Sequence, residues 1–341
     1  MRRFCFVFGV GIALLGAIGV AQQPSTAGPY KLLRTAKVGG AGGFDYVYAD
    51  VAGRRLYIPR SGASARVTVF NLDTLDPTGE IPGVSAHGAA VDPKAHRGFA
   101  TSKPLVMWDT NTLATIKTID VQGSPDGILF DPFNQRIYDF SHSAPTVTVI
   151  SATDGAIVGT IDLGGAPEQA VTDGAGHLYV DLEDKDSVAV VDTKTMMVTA
   201  HYDLAGQGGT PAALAFDVKN HILFVACRKP QTMVMLNATT GKIITSLPIG
   251  GGVDGAAFNP NTMEAFSSQV DGTLTVIKEN SPTSFAVEQT VQTMTGARTL
   301  TLDTKTNHIL LITTQFGPAP ADGRGRGAAL PDSFSILVVG K

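Results

Sequence analysis

An all-β ring of seven blades, each a four-stranded sheet, is the fold this sequence predicts, and three observations carry the prediction. A six-residue segment recurs as YVYADV, GAAVDP, GILFDP, QAVTDG, ALAFDV, GAAFNP and TLTLDT, and its acid or amide falls at Asp50, Asp92, Asp131, Asp173, Asp217, Asn259 and Asp303. The successive intervals of 42, 39, 42, 44, 42 and 44 residues lie within the blade lengths, roughly 40 to 50 residues, of propeller repeats. Between these acids Val, Ile, Thr and Phe alternate with period two in short runs, and no helical spacing is sustained.

Composition agrees. The 341 residues are 43% hydrophobic, enough for a large core, while 38 glycines and 19 prolines supply frequent turns between short strands. Residues 1–21 stand apart: Arg2 and Arg3 precede an apolar run from Phe4 to Val20 that ends in small residues before Gln22, the pattern of a secretory leader cleaved after Ala21. A periplasmic or secreted protein is therefore expected, with no membrane span once the leader is removed. Loss of the two leader arginines leaves 24 basic against 30 acidic residues, a net charge of about −6 that argues against a general polyanion binder. Cys5 leaves with the leader, and Cys227 then has no partner for an intramolecular disulfide.

Residues 22–341 are read as the propeller, with blades starting near 44, 86, 125, 167, 211, 253 and 297. After each repeat acid a polar turn leads to a second strand, as in RRLYIP, RIYDFS, HLYVDL or HILFVA. Third strands such as RVTVFNL, TVTVIS and SVAVVDT follow, and then fourth strands of the TIKTID and KIITSLPI kind. The seventh copy stops at SFSILVVGK without a fourth strand, whereas YKLLRTAKV, Tyr30 to Val38, precedes the first copy with the fourth-strand pattern. Lending this N-terminal strand to the last blade closes the ring and removes exposed sheet edges.

The stretch SPDGILFDPFNQRIYDF followed by TVTVISATDGAIVGTIDL resembles the YVTN-type β-propeller repeat of exported bacterial YncE-like proteins. All seven copies fit with varying fidelity; the copy at Val253 reads MEAFSS where the second strand should resemble RLYV, and the copy at Phe44 lacks the PxG opening. The resemblance implies a non-enzymatic binding or scaffold protein that is expected to be a monomer. It does not imply a chemistry, because propellers host many.

Five residues before each repeat acid, at the start of the innermost strand, lie Asp45, His87, Asp126, Glu168, Ala212, Asp254 and Arg298. A propeller gathers these positions around the mouth of its channel, where the carboxylates repel one another unless a cation or donors intervene. One role for the six ionisable residues is a ligand or metal pocket with Arg298 as counter-charge. Another is to accept hydrogen bonds from the amides of their own loops, as in Asx turns. Cofactor identity stays open; a divalent cation is one candidate, and the oxygen-rich set favours a hard ion such as calcium over zinc.

The second-to-third loops of the same face carry Arg60 and Arg66, Lys103, His142, Lys185, Arg228 with Lys229, and Arg324 with Arg326, read as an outer basic ring. An acidic centre inside basic loops suits a zwitterionic or carboxylate-bearing small molecule, or an acidic protein partner; ordinary solvated loops carry such charges too. The insertion Gly317 to Asp332 in the seventh copy lacks apolar anchors and reads as a mobile loop. Nucleic acid is not an expected partner. The alternative function is a lactonase-like hydrolase at the channel mouth with His87, Glu168 and Arg298 as base, acid and anion clamp. GxSxG, HExxH and phosphate-loop motifs do not occur.

Overall fold

A computed structural model describes residue 1 and residues 27–318 and 327–341. The expected leader, its cleavage point, Arg324 and Arg326 all lie outside the described residues. Within them the chain forms seven four-stranded sheets, each antiparallel throughout. The order in a blade follows the chain from the innermost strand outward, as in Pro125–Asp131, Arg136–Ser141, Val147–Ser151 and Ile157–Ile161 of blade 3. Blade 7 is the exception: Leu300–Asp303, His308–Thr313 and Ser335–Gly340 are completed by the N-terminal strand Lys31–Lys37.

The sequence pattern explains each layer. Second strands lie between neighbouring blades, so both faces are covered and a run such as Ile222–Cys227 is buried along its whole length. Fourth strands form the rim, and Met197–Asp203 alternates exposed with half-buried residues. The repeat acid ends the innermost strand and turns the chain: Asp92 accepts the amides of Lys94 and Ala95 at 3.0 and 3.2 Å, and Asp173 accepts those of Ala175, Gly176 and His177. The amide-accepting role entertained for the residues at the other end of this strand thus belongs to the repeat acid.

The core is divided among seven hydrophobic clusters, one at each blade–blade interface. Tyr179 and Val190 of blade 4, for instance, pack against Leu214, Val225 and Leu236 of blade 5. Seven interfaces for seven blades mean a closed ring with no free end. Trp108, on a third strand, is wholly buried, and a Cβ on Gly98 of the paired strand would come within 2.1 Å of its ring, so glycine there makes room for the indole. Cys227 is likewise fully buried, and burial pushes its thiol up to about 12, so it behaves as a core residue.

Closure has its own chemistry. Gln289 brackets Tyr30 as a neighbouring strand would: its Oε1 accepts the Tyr30 amide at 3.0 Å and its Nε2 donates to the Tyr30 carbonyl at 2.8 Å. The Tyr30 ring packs edge-on against Phe266, and its hydroxyl donates to Glu264, which the C-terminal Lys341 also contacts at 2.7 Å. Both chain ends are thereby fastened to blade 6. On the same face Arg54 spans the first and last blades, holding Asp303 through two nitrogens at 2.7 and 2.8 Å.

Candidate functional site

The residues that open the innermost strands are set by local irregularity. In blades 3, 4, 5 and 6 the ladder to the second strand slips at Asp126, Glu168, Ala212 and Asp254, between Pro125 and Ile128, Pro167 and Ala170, Pro211 and Ala213, and Val253 and Gly255. A bulge of this kind re-aims a side chain that regular pleating would send into the blade interface. Hydroxyls of the preceding blade then fix the backbone: Thr101 donates to the Asp126 carbonyl at 2.7 Å, Thr299 to that of Asp45 at 2.6 Å, and Ser268 to that of Arg298 at 2.5 Å.

These positions meet in one closed ring of alternating acids and bases. His87 Nδ1 lies 2.9 Å from Asp45 and 3.2 Å from Asp126. His142 Nε2 lies 3.7 Å from Asp126 and 3.0 Å from Glu168. Arg228 joins Glu168, at 3.2 Å, to Asp254, and Arg298 joins Asp254, at 3.0 Å, back to Asp45, at 3.3 Å. Each of the four carboxylates bridges two cationic side chains. Glu183 adds a further acid on Arg228.

Two of the bases come from second-to-third loops. His142 and Arg228, expected in an outer ring, stand in the inner one, because their side chains reach inward over the strand ends. Of the other loop cations, Arg60 is 2% exposed, stacks 3.7 Å over the Phe334 ring and donates to the carbonyls of Gly40, Gly42 and Gly43. It fastens a loop rather than facing solvent. Arg66 pairs with Glu80, Lys185 with Asp184, and Lys103 reaches the Gly123 carbonyl at the mouth. Ala212 contributes no charge.

Tyr46 completes the mouth and was not expected there. Its hydroxyl lies 3.0 Å from the Glu168 carbonyl and 3.3 Å from Asp126, so a blade 1 side chain reaches blades 3 and 4. The sequence held a signal: the equivalent position is Gly88, Gly127, Gln169, Ala213, Gly255 and Thr299 in the other copies. A Cβ on Gly127 would stand 2.9 Å from the Glu168 carbonyl, so in that copy there is no room for a side chain at the position from which Tyr46 turns into the channel.

Electrostatics follow from crowding and burial. Burial, with repulsion from Asp45 and Glu168, pushes the Asp126 carboxyl up to about 6. Burial does the same to Asp254, to about 6, against the pull of Arg298 and Arg228. The hydrogen bond to Asp45 raises His87, and the bond to Glu168 raises His142 to about 9. Behind the ring, on the second strands, Asp139 and Asp181 are fully buried. Burial and the nearby Asp126 lift Asp139 to about 8, and neither of its carboxyl oxygens has a hydrogen-bond partner among the described residues.

A cavity of about 430 Å³ opens on this face, lined by His87, Thr101, Lys103, Ser124, Asp126 and His142. Its two imidazoles are half exposed, at 51% and 43%. Beneath the ring the channel narrows to about 210 Å³ around Tyr46, Gly127 and Gln169. A larger cleft of about 710 Å³ lies at the outer seam of blades 7 and 1, where Arg60 and Arg66 are already engaged as described. His87, Glu168 and Arg298, the trio assigned to a hydrolase, do not bond to one another: His87 and Arg298 both hold Asp45, and Glu168 holds His142 and Arg228.

Fold and site together define a seven-bladed propeller with an alternately charged channel mouth. No family model matches the chain, and no curated protein matches it. Among solved structures, a chain from a crystal structure of the Mitotic Checkpoint Complex superposes with a TM-score of 0.72 at 11% identity, over 99% of this chain and 98% of that one. Matching solved chains number 1714, so the likeness speaks for architecture and not for chemistry. Among the described residues no helix is long and apolar enough to cross a membrane.

Proposed function

We propose that this chain is an exported propeller of the YncE-like kind that binds a small carboxylate-bearing molecule in the cavity at its channel mouth. The observation that carries the reading is the pairing of two half-exposed, cation-forming imidazoles with Lys103 around one polar cavity of about 430 Å³. Thr101 and Ser124 supply hydroxyls beside them, and the ring carboxylates would orient an ammonium group on the same ligand. The blade resemblance and the leader-like first 21 residues support export. Binding rather than hydrolysis is favoured because His87, Glu168 and Arg298 are each engaged by ring partners and make no bond to one another.

The test is calorimetric titration of the metal-free mature protein with a panel of small carboxylates and amino acids. Binding should weaken about tenfold in His142→Gln, the worth of one charge-assisted hydrogen bond. Because the folded-state value of His142 is raised to about 9, affinity should be retained at pH 7 and fall as pH rises through 9. Affinity unchanged in His142→Gln and flat to pH 10, or lactone turnover that vanishes in His87→Ala, would overturn this reading.

A further inference from the structure

We propose that the channel mouth is a carboxylate-bridged site for two divalent transition-metal ions of the zinc class, with Asp126 shared between them. This deepens the reading of the mouth as the binding site and rests on it. Asp45, His87 and Asp126 each offer a ligand atom, and the three atoms lie within 4.8 Å of one another; Asp126, His142 and Glu168 do the same. The two groups use opposite oxygens of one carboxylate, with Asp126 Oδ1 beside His87 and Oδ2 beside His142.

Spacing favours coordination. A tetrahedral site with bonds of about 2.1 Å has ligand-to-ligand edges of about 3.4 Å. The edges present are 2.9 and 3.2 Å around His87, and 3.0 and 3.7 Å around His142. These four imidazole–carboxylate edges thus lie within about 0.5 Å of those a tetrahedral ion needs. Donor type then selects the metal: once His142 joins His87, each position has one imidazole and two carboxylates, which suits zinc, cobalt or nickel better than calcium. With His142 outside the ring the donor set favours a hard ion such as calcium; with His142 inside it the balance moves to zinc.

The surroundings agree with that choice. Three of the four ring carboxylates belong to these two groups, and the fully buried Asp139 behind Asp126 finds no hydrogen-bond partner among the described residues. A dication on Asp126 offsets that concentration of acid groups. The backbones of Asp126 and Asp45 are pinned by Thr101 and Thr299, so little ordering remains to oppose binding. On binding, the metal takes the place of the proton on each ligating imidazole nitrogen, and those protons pass to solvent. With three protein ligands each, both positions keep a place facing the cavity, where a ligand carboxylate would complete the shell.

Chelator-treated, untagged protein is titrated with Zn²⁺ and with Co²⁺ alone, following heat, proton release and the visible absorbance of bound cobalt. Two equivalents are expected for the native chain, one each for His87→Gln and His142→Gln, and none of these sites for Asp126→Asn. His177→Gln, which alters the exposed Asp173–His177 pair on the other face, should leave both. Fewer than two equivalents in the native protein, or a stoichiometry indifferent to His87 and His142, overturns the proposal. Circular dichroism and thermal midpoints of each variant establish folding, and the conservative glutamines leave a folded comparison if Asp126→Asn is lost. Carboxylate binding by the metal-free protein is measured separately, so either idea can fail without the other.

Discussion

Deleting residues 27–38 should lower the thermal midpoint of the protein by about 10 °C or more and convert it to an aggregating species, a loss on the order of 5 kcal/mol. The deletion strips the outer partner from Ser335–Gly340, all six residues of which are buried, and exposes an unpaired edge. It also removes Tyr30, 3% exposed, from the cluster it forms with Phe266, Ile309 and Val339. The two bonds from Gln289 go with it. Gln289→Ala should reproduce a part of the effect, about 1 to 3 kcal/mol, by leaving the Tyr30 amide and carbonyl unpaired. A midpoint unchanged by the deletion would mean that the last blade does not need its borrowed strand.

Arg228→Ala should cost about 3 kcal/mol at pH 7.5, because it leaves Glu168, Glu183 and the 8%-exposed Asp254 facing one another with one cation fewer. The loss should depend on pH in a definite direction. Asp254 is already raised to about 6 with both arginines in place, and removing one raises it further. An acid whose folded value exceeds its unfolded value loses stability as pH rises between the two, so the variant's deficit should shrink as pH falls from 7.5 toward 6. Arg228→Lys should lie between, since an ammonium cannot fork across the carboxylates that the guanidinium joins. Denaturant melts from pH 4.5 to 8 read this directly; a deficit constant across that range would place the strain elsewhere.

The fold was legible because propeller blades repeat a task. The acid at Asp50 through Asp303 must receive the amides of a tight turn in each blade, and that local need writes the interval of 39 to 44 residues into the chain. Tyr30 to Val38 was legible as the missing strand because its pattern matched the rim strands and the seventh copy lacked one. The mouth was legible in part: one offset from the repeat acid found Asp45, His87, Asp126, Glu168, Asp254 and Arg298, all members of the ring.

What the offset could not find were side chains that reach the mouth from elsewhere. His142 and Arg228 belong to loops whose direction is set by packing, and sequence spacing put them outside with Arg60, which instead is buried under its own loop. Asp139 and Asp181 lie in second strands read only as apolar runs. Tyr46 was hidden by its neighbours, since a tyrosine in an innermost strand looks like core until the mostly small, non-aromatic residues at its equivalents are compared.

The account stands most directly on the state of two imidazoles. Nitrogen-15 NMR of the metal-free protein, with His87 and His142 assigned from their glutamine variants, should show both rings protonated on both nitrogens at pH 6.5, with His87 titrating above that value and His142 near 9. Neutral rings at pH 6.5, or titration at or below it, would contradict a ring of alternating acids and bases at the channel mouth.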